Sequence, residues 1–526
     1  MPKWTPEHLF AKENLMKDPK YKEDMGSSAL PEMTSLYEFK YENDLTRMIN
    51  NVHYHEYFFH WIETAWAVML MKKQLIPEKY YSKIISCIYE YVDLCNETYN
   101  GFGGLQKYVI KKFGIRVGGS LTLARTIPPG RQIIPVRKET LKVICVLHDF
   151  LESLLAFAEK NLDAIMPGYT HIRHAQPTTL GHYLLSVYDP MVRAVKNIEV
   201  GYQNINANEF GCAALAGTSW NIDRDLITKY LGFDWLIENT NDAVSFSDGY
   251  ISLISALANF MIILSQLCLE LNFWSGLEYD FLYVPFLTSE QTFQKEGGKG
   301  KSHSHLMPNK TCNPPCLERA RVGAAQLVGC LTEAVAMTMR APHGDGHEFL
   351  HVKDPVMAAL RATYLYSHPF IHTFPRIISK RDNMLKTARR GYSCAVELAN
   401  ELVRRFGLDY RTAHEIVNEF IIVSEKKTIP SELADINIFT SACERVINKK
   451  LAITEEELRK CLDPVEFINK TRSKGSVNPD ECRRMIKERK KDICQMKNNQ
   501  KMRIKKLLNA KTIMLNDLKL LKKKYL

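Results

Sequence analysis

An all-α fold built round a long central helical bundle is what this sequence predicts, on three observations. Apolar residues recur at helical spacing over long stretches, and strict apolar–polar alternation is scarce. The longest apolar run, Ile251–Leu269, is interrupted by Ser252, Ser255, Asn259, Ser265 and Gln266. A membrane span would carry cleaner flanks, so this run reads as a buried bundle helix and no membrane partner is expected. At 526 residues the chain is long enough for large cores and about three domains.

Composition narrows the class further. Hydrophobic residues at 45% and charged residues at 25% are ordinary for a soluble globular protein. The N-terminal MPKWTPEHLFAKENL has no apolar core of a secretory signal. The 13 cysteines are odd in number and scattered, several in apolar helical contexts (Cys145, Cys268, Cys330). That usage suits a reducing compartment, and a cytoplasmic location is expected. The net charge of +11 is concentrated from Arg483 onward, leaving the body close to neutral. A solvated amphipathic helix explains such a tail, and no nucleic-acid partner is expected.

In chain order, Phe39, Leu45, Met48 and Ile49, then Phe58, Trp61, Ile62, Trp66 and Met69, mark helices between Tyr37 and Tyr99. His53, His55 and His60 there read as structural. From Tyr99 to Arg137 glycines and prolines break the pattern, and such an irregular loop inside a helical protein is a place for function. Arg125, Thr126 and Arg131 are its groups suited to an anionic substrate. A helix over Lys138–Ala164 follows, with Leu141, Ile144, Leu147, Leu151, Leu154 and Leu155 on its buried face. Pro167 to Ser186 then opens as a Pro/Gly-bounded turn presenting Thr170, His171, Arg173 and His174 ahead of another helix. Asn221 is the expected N-cap of a helix beginning near Ile222. A further helix begins near Asp248 and runs through Leu271, and Leu317–Met339 is an Ala-rich helix. Beyond about Phe374 the texture changes to short amphipathic helices. The expected units are 1–121, 122–375 and 376–526.

The stretch KGKSHSHLMPNKTCNPPCLE, Lys299 to Glu318, has the look of a catalytic lid. A polar, Gly/Lys-rich loop packs Ser, His, Lys and Asn together and lands on a helix start. From His303 to Pro314 it resembles the signature loop of the fumarase/aspartase/argininosuccinate lyase superfamily, Gly-Ser-Ser-x-Met-Pro-x-Lys-x-Asn-Pro. Other landmarks follow in the same order. Pro167-Gly-Tyr-Thr-His-Ile-Arg-His-Ala-Gln-Pro177 resembles the PGYTHLQRAQP of argininosuccinate lyases. Ala214-Leu-Ala-Gly-Thr with Ile222-Asp-Arg224 resembles their GALAG and IDR, and Asn239-Thr-Asn-Asp-Ala-Val-Ser245 their NSxDAxS. Two C-terminal segments, Gly407 to His414 and Asp463 to Gly475, resemble their FREAH and LDPExxVxRRxSxGGTxP, which favours this branch over fumarase.

The resemblance implies an all-α, three-domain subunit of the fumarase/aspartase type, a homotetramer with each site shared between subunits, and no cofactor or metal. Its reaction is β-elimination from a succinyl conjugate, giving fumarate and an amine. By the match, Ser304 is the base, and loop amides and Lys310 would lower its pKa. Lys310 and Asn313 would hold carboxylates. His171, oriented by Glu318, would help protonate the departing group. Thr170 and Thr126 would contact substrate oxygens, and Arg125 and Arg173 join the substrate-binding set.

The departures fall on one half of the substrate. His303 and His305 replace the Gly and the second Ser of the loop, and one residue is added between Lys310 and Asn313. HTGRSRND has become Thr122-Leu-Ala-Arg-Thr-Ile-Pro-Pro-Gly-Arg131. The THLQ glutamine is Arg173, the SERD arginine is Ser247, and YNKDLQEDK has become Pro342-His-Gly-Asp-Gly-His-Glu-Phe-Leu. The elimination end is kept and the arginine-reading end is rewritten, so a different amine, or a thiol, is the expected leaving group.

Two rival readings are a metal enzyme and a non-catalytic relative. His343, His347 and His351 recur at i, i+4, i+8, as metal ligands on one helix face would, but Gly344 and Gly346 oppose a helix there. The altered lid keeps a binding or structural relative in view, against which stands retention of Thr170, His171, Ser304, Lys310 and Glu318 together. Gly300-Lys-Ser302 lacks the glycine and preceding strand of a phosphate-binding loop.

Overall fold

The computed structural model describes residues 52–94, 104–125, 133–285, 314–344 and 346–526. Five long helices make the body: α4 (Ile133–Lys160), α5 (Leu180–Ile205), α7 (Asp248–Ser275), α8 (Pro315–Thr338) and α9 (Lys353–Ser367). Ahead of them lie α1 (Val52–Lys72), α2 (Tyr81–Leu94) and α3 (Gly104–Phe113). Between them are three two-stranded pairs: β1 (Ile165–Thr170) with β2 (Arg173–Thr179), β3 (Ala207–Asn208) with β4 (Trp235–Leu236), and β5 (Leu282–Tyr283) with β6 (Ile378–Ser379). A short helix α6 (Arg224–Leu231) follows β3, and α10 (Arg381–Ala388) follows β6.

The helices form a bundle because each buries a full apolar stripe against its neighbours. The expected face of α4, from Leu141 to Leu155, is 0–1% exposed at every position named above. Helix α5 runs antiparallel to both α4 and α7, and two glycines set how close neighbouring helices come. A Cβ on Gly201 of α5 would lie 2.8 Å from Leu253 Cα, so α5 and α7 touch backbone to side-chain root. A Cβ on Gly323 of α8 would lie 2.3 Å from the ring of Tyr366 on α9. Helix α7 is buried on the α5 and α8 sides but leaves Ile262, Leu269 and Phe273 in solvent. On α8, Val322, Val328 and Val335 are likewise exposed.

The chain after 375 is divided mainly between two cores, with Cys394, Phe467, Ile468 and Val477 in a small third cluster. Helices α11 (Ala395–Phe406), α12 (Tyr410–Lys426), α13 (Ile436–Ile447) and α14 (Glu455–Cys461) enclose a small core of their own around Leu402, Ile416, Phe420, Phe439 and Leu458. Their starts follow local chemistry: Asp409, Asp435 and Thr454 each accept a first-turn N–H, and Thr454 with Glu457 completes a capping box. After α15 (Pro464–Lys470), the basic tail is a single helix, α16 (Pro479–Tyr525), of 47 residues. It does not stand off in water. Met485, Ile486, Ile493, Met496, Leu507, Met514 and Leu518 join the large core, and α16 runs antiparallel along α4.

Its charge is matched by the surface it covers. Arg489 bridges Asp189 through two bonds (2.7 and 2.5 Å), Lys490 meets Glu159 at 2.6 Å and Lys497 meets Asp149 at 3.0 Å. Deeper in, Arg503 donates to Glu199 (3.0 Å), whose other oxygen pairs with buried His148 (3.1 Å). Gln500 reaches the Leu141 carbonyl at 2.9 Å.

Candidate active site

The Pro/Gly-bounded turn at 167 is a β-hairpin. Thr170 pairs with Arg173, so His171 and Ile172 are its only turn residues, and both have positive φ (52° and 60°). A two-residue loop with both residues left-handed is the twist-matched hairpin turn, normally built from Asn-Gly. Histidine and especially a β-branched isoleucine pay for that conformation in steric strain, roughly 1–2 kcal/mol each. The surroundings hold it. The Tyr169 ring lies edge-on to His174 (5.4 Å) and to Tyr279 (6.2 Å), and α10 packs on β1. Thr179 caps α5 through His182 N, and the His182 ring is hydrogen-bonded to Thr178 Oγ1 and the Gly475 carbonyl, each at 3.1 Å. Partial burial, with the Arg390 charge second, lowers the His174 pKa. Thr170, His171, Ile172 and Arg173 are exposed, and none hydrogen-bonds through its side chain to another described residue.

Both flanks of the 299–318 loop emerge at this same end of the bundle. Before it, Asp280 is clamped by the Lys380 ammonium and by Asn383 Nδ2 (2.6 Å), and β5 pairs with β6 through Leu282 and Ser379. After it, α8 starts with proline at its first position and carries Glu318, exposed, in its first turn. A carboxylate there is favoured by the helix dipole. Ser304, Lys310 and Asn313, with His303 and His305, lie outside the described residues, as does Thr126. Within one chain, His171 and Glu318 share this end but make no hydrogen bond or ion pair with each other.

Arg125, the remaining described candidate, sits at the opposite end. Arg125 does not face solvent: its side chain is 5% exposed and lies 3.7 Å from Glu63, itself 4% exposed. A guanidinium buried this deeply needs a carboxylate beside it, and Glu63 supplies one within the chain. The 28-residue helix α4 separates this end from the hairpin, a distance of about 42 Å at 1.5 Å per residue. The IDR landmark is structural as well. Asp223, not Asn221, caps α6, and Arg224 donates to the carbonyls of Phe210 (3.0 Å), Ile237 (2.8 Å) and Glu238 (2.8 Å). Asn239 caps the next turn through the N–H groups of Asn241 and Asp242. Ser245 accepts from Gly344 N at 2.7 Å.

The histidine triplet does not share one helix. His347 and His351 stack at 6.1 Å, but Gly344 at φ 142° and Gly346 break the backbone between them and His343. Among the described residues no three His, Cys, Asp or Glu side chains converge as metal ligands. What sequence reasoning missed is Glu209, 2% exposed, with Oε1 lacking a hydrogen-bond partner. Burial pushes its pKa up to about 8, so it is a neutral acid in the fold. Its only sequence signal is a lone acid wedged before Phe210, next to the small-residue segment.

Comparison with known proteins meets this architecture at both of its parts. A lyase family model matches residues 132–329, the bundle with the hairpin and the loop. A model described as argininosuccinate lyase C-terminal matches 392–469, the unit with its own small core. The structure superposes on EDDS lyase in complex with formate at a TM-score of 0.80, covering 95% of this chain and 98% of that one at 23% identity. A class II fumarase from Schistosoma mansoni follows at 0.61 over 78% and 89%, with 15% identity. The fold is therefore that of the fumarase/aspartase superfamily of lyases. Within it, the argininosuccinate lyase of Methanocorpusculum labreanum is 30% identical over 445 residues, 81% of this chain and 85% of that one. The Methanocaldococcus jannaschii argininosuccinate lyase is 28% identical over 465 residues, covering 86% and 92%. The chain belongs to the argininosuccinate lyase family, and is a carbon–nitrogen lyase of the fumarate-releasing type.

Proposed function

We propose that this enzyme eliminates an amine other than that of argininosuccinate from a succinyl conjugate, leaving fumarate. A base takes the proton from the carbon beside the distal carboxylate. The carbanion's charge spreads into that carboxylate, the C–N bond breaks, and the amine nitrogen takes up a proton as the double bond forms. The proton is very weakly acidic, so preorganised cations and N–H donors must carry the cost. Ser304 is the base, Lys310 and Asn313 hold the carboxylates, and Thr170 and Thr126 contact substrate oxygens. His171, set by Glu318, delivers the proton to the leaving group.

The observation that carries this reading is the hairpin turn. It exposes His171 on a strained two-residue turn, and Thr170 just before it, beside both flanks of the signature loop. Strain at exposed polar residues is characteristic of functional sites. The rewritten segments at 122–131 and 342–350 support a changed leaving group.

The same proposal includes a homotetramer with shared sites. The family resemblance and the apolar surface that the bundle leaves in solvent support it. The solvent-facing Ile262, Leu269 and Phe273 of α7 and the valines of α8 are the surface such an assembly would cover. Units near 1–121, 122–375 and 376–526, a cytoplasmic location and a place in amino-acid metabolism belong to the proposal too.

The test runs the reaction backwards, with fumarate and a pool of amines and thiols, following adducts by mass. An amine adduct formed by the wild type and lost in Ser304→Ala supports the reading. An adduct formed equally by both refutes Ser304 as base. Absence of any adduct from folded protein favours a non-catalytic relative.

A further inference from the structure

We infer that the leaving amine carries an anionic group of its own, and that Arg173 is the residue that selects it. The inference rests on the elimination proposed above and names the class of amine. In the hairpin register Arg173 lies directly opposite Thr170. Directly opposed residues project from the same face, with Cβ atoms about 4.5–5.5 Å apart. Tyr169 and His174 form the next pair and turn to the other face, where the rings of Tyr169 and Tyr279 pack. A substrate touching Thr170 and the turn at His171 is therefore within reach of the Arg173 guanidinium.

That guanidinium is uncommitted. Arg173 is exposed and has no ion pair or hydrogen bond to another described residue. Of the nearby cations, Arg381 is bonded to Asp163 at 2.6 Å, Arg389 faces Asp463 at 3.3 Å, and Arg390 acts on His174, whose pair with Tyr169 turns to the other face. The two carboxylates of the succinyl half already have groups assigned in the proposed reaction. Arg173 stands where the family pattern has glutamine, so it adds a full positive charge and a planar fork of donors beside the site. A fork of that shape matches a carboxylate or phosphate through two parallel bonds. A neutral or cationic amine gains nothing from it, and a cationic one is repelled.

The experiment measures addition to fumarate by the full-length enzyme with aspartate, glutamate and the carboxylate-free ethylamine and agmatine as amines. It compares wild type, Arg173→Gln and Arg173→Lys, with thermal unfolding confirming that the exposed substitution leaves the fold intact. The expected result is addition of the acidic amino acids, with their KM raised tenfold or more in Arg173→Gln. The fumarate KM and kcat should stay within about twofold, and Arg173→Lys should recover part of the loss. Three outcomes overturn the inference while leaving the elimination standing. These are preference for ethylamine or agmatine, no change of amine KM in Arg173→Gln, or a change confined to the fumarate KM. No adduct with any amine overturns the inference and the proposed elimination together.

Discussion

Glu209 makes a sharp test of how this fold handles buried charge. Its carboxyl is 2% exposed and one oxygen has no partner. Replacing it by glutamine keeps the shape and removes the ionisation. The sign follows from linkage. Burial raises the folded pKa from an ordinary 4.5 to about 8. Between those values the unfolded chain has released the proton and the folded chain has kept it. Wild-type stability therefore falls with rising pH across that window, and the loss levels off above it. One pKa unit corresponds to about 1.36 kcal/mol, so the whole shift is worth about 5 kcal/mol. Below pH 4.5, where both states hold the proton, Glu209→Gln should match the wild type. By pH 8 it should be the more stable protein by a few kcal/mol. Thermal midpoints of both proteins from pH 4.5 to 8.5 are the assay. Parallel profiles would show that Glu209 is ionised in the fold, with a partner that neutralises it, and would refute the reasoning.

Ile172→Gly should relieve the strained turn. Glycine has no steric penalty at φ 60°, and Ile172 is 86% exposed, so no packing is lost. A net gain of about 0.5–1 kcal/mol should slow hydrogen exchange of the hairpin amides a few-fold, and faster exchange would contradict the strain. Gly323→Ala should cost about 1–3 kcal/mol, because the Tyr366 ring must move out of the new methyl's way. An unchanged thermal midpoint would show that α8 and α9 separate freely. Burial opposes ionisation of Glu199, but hydrogen bonds from His148 and Arg503 outweigh it and hold its pKa below the usual carboxylate value. The stabilisation is complete above the unfolded pKa and is lost as pH falls through the depressed folded one. Glu199→Gln should therefore loosen α16 at neutral pH, read as faster amide exchange around Arg503, and differ little from wild type in strong acid.

The bundle was legible because 3.6-residue periodicity survives in long helices. The expected Lys138–Ala164 and Asp248–Leu271 became Ile133–Lys160 and Asp248–Ser275, differing only at their ends. The hairpin was not legible as strands. Pro167, Gly168 and Pro177 punctuate six- and seven-residue strands, and a His-Ile turn carries none of the usual Asn-Gly signal. Composition recorded the tail as a run of lysines, whereas its heptad-like Met and Ile residues and the acids of α4 and α5 dock it. That match is long-range and invisible from either segment alone. The same holds for Arg125: a loop arginine ahead of a helix looks available until Glu63, 62 residues earlier in the chain, is placed beside it. Arg224 and Asn239 were legible as family landmarks but not as clamps and caps, since only the backbone they hold explains them.

The central claim is that this chain performs the elimination at sites assembled from more than one copy. The most direct measurement is activity in mixed assemblies of two inactive variants, Ser304→Ala and His171→Asn, followed as fumarate addition to the accepted amine. Asparagine tolerates the left-handed backbone at 171, so the hairpin survives. Each variant alone should be inactive. If Ser304 and His171 of one site come from different copies, equal random mixing restores both in roughly a quarter of sites. Recovery approaching a quarter of wild-type activity is the predicted result. No recovery from mixed, folded assemblies would place both residues of a site in one copy, and full activity of either variant alone would remove it from the chemistry.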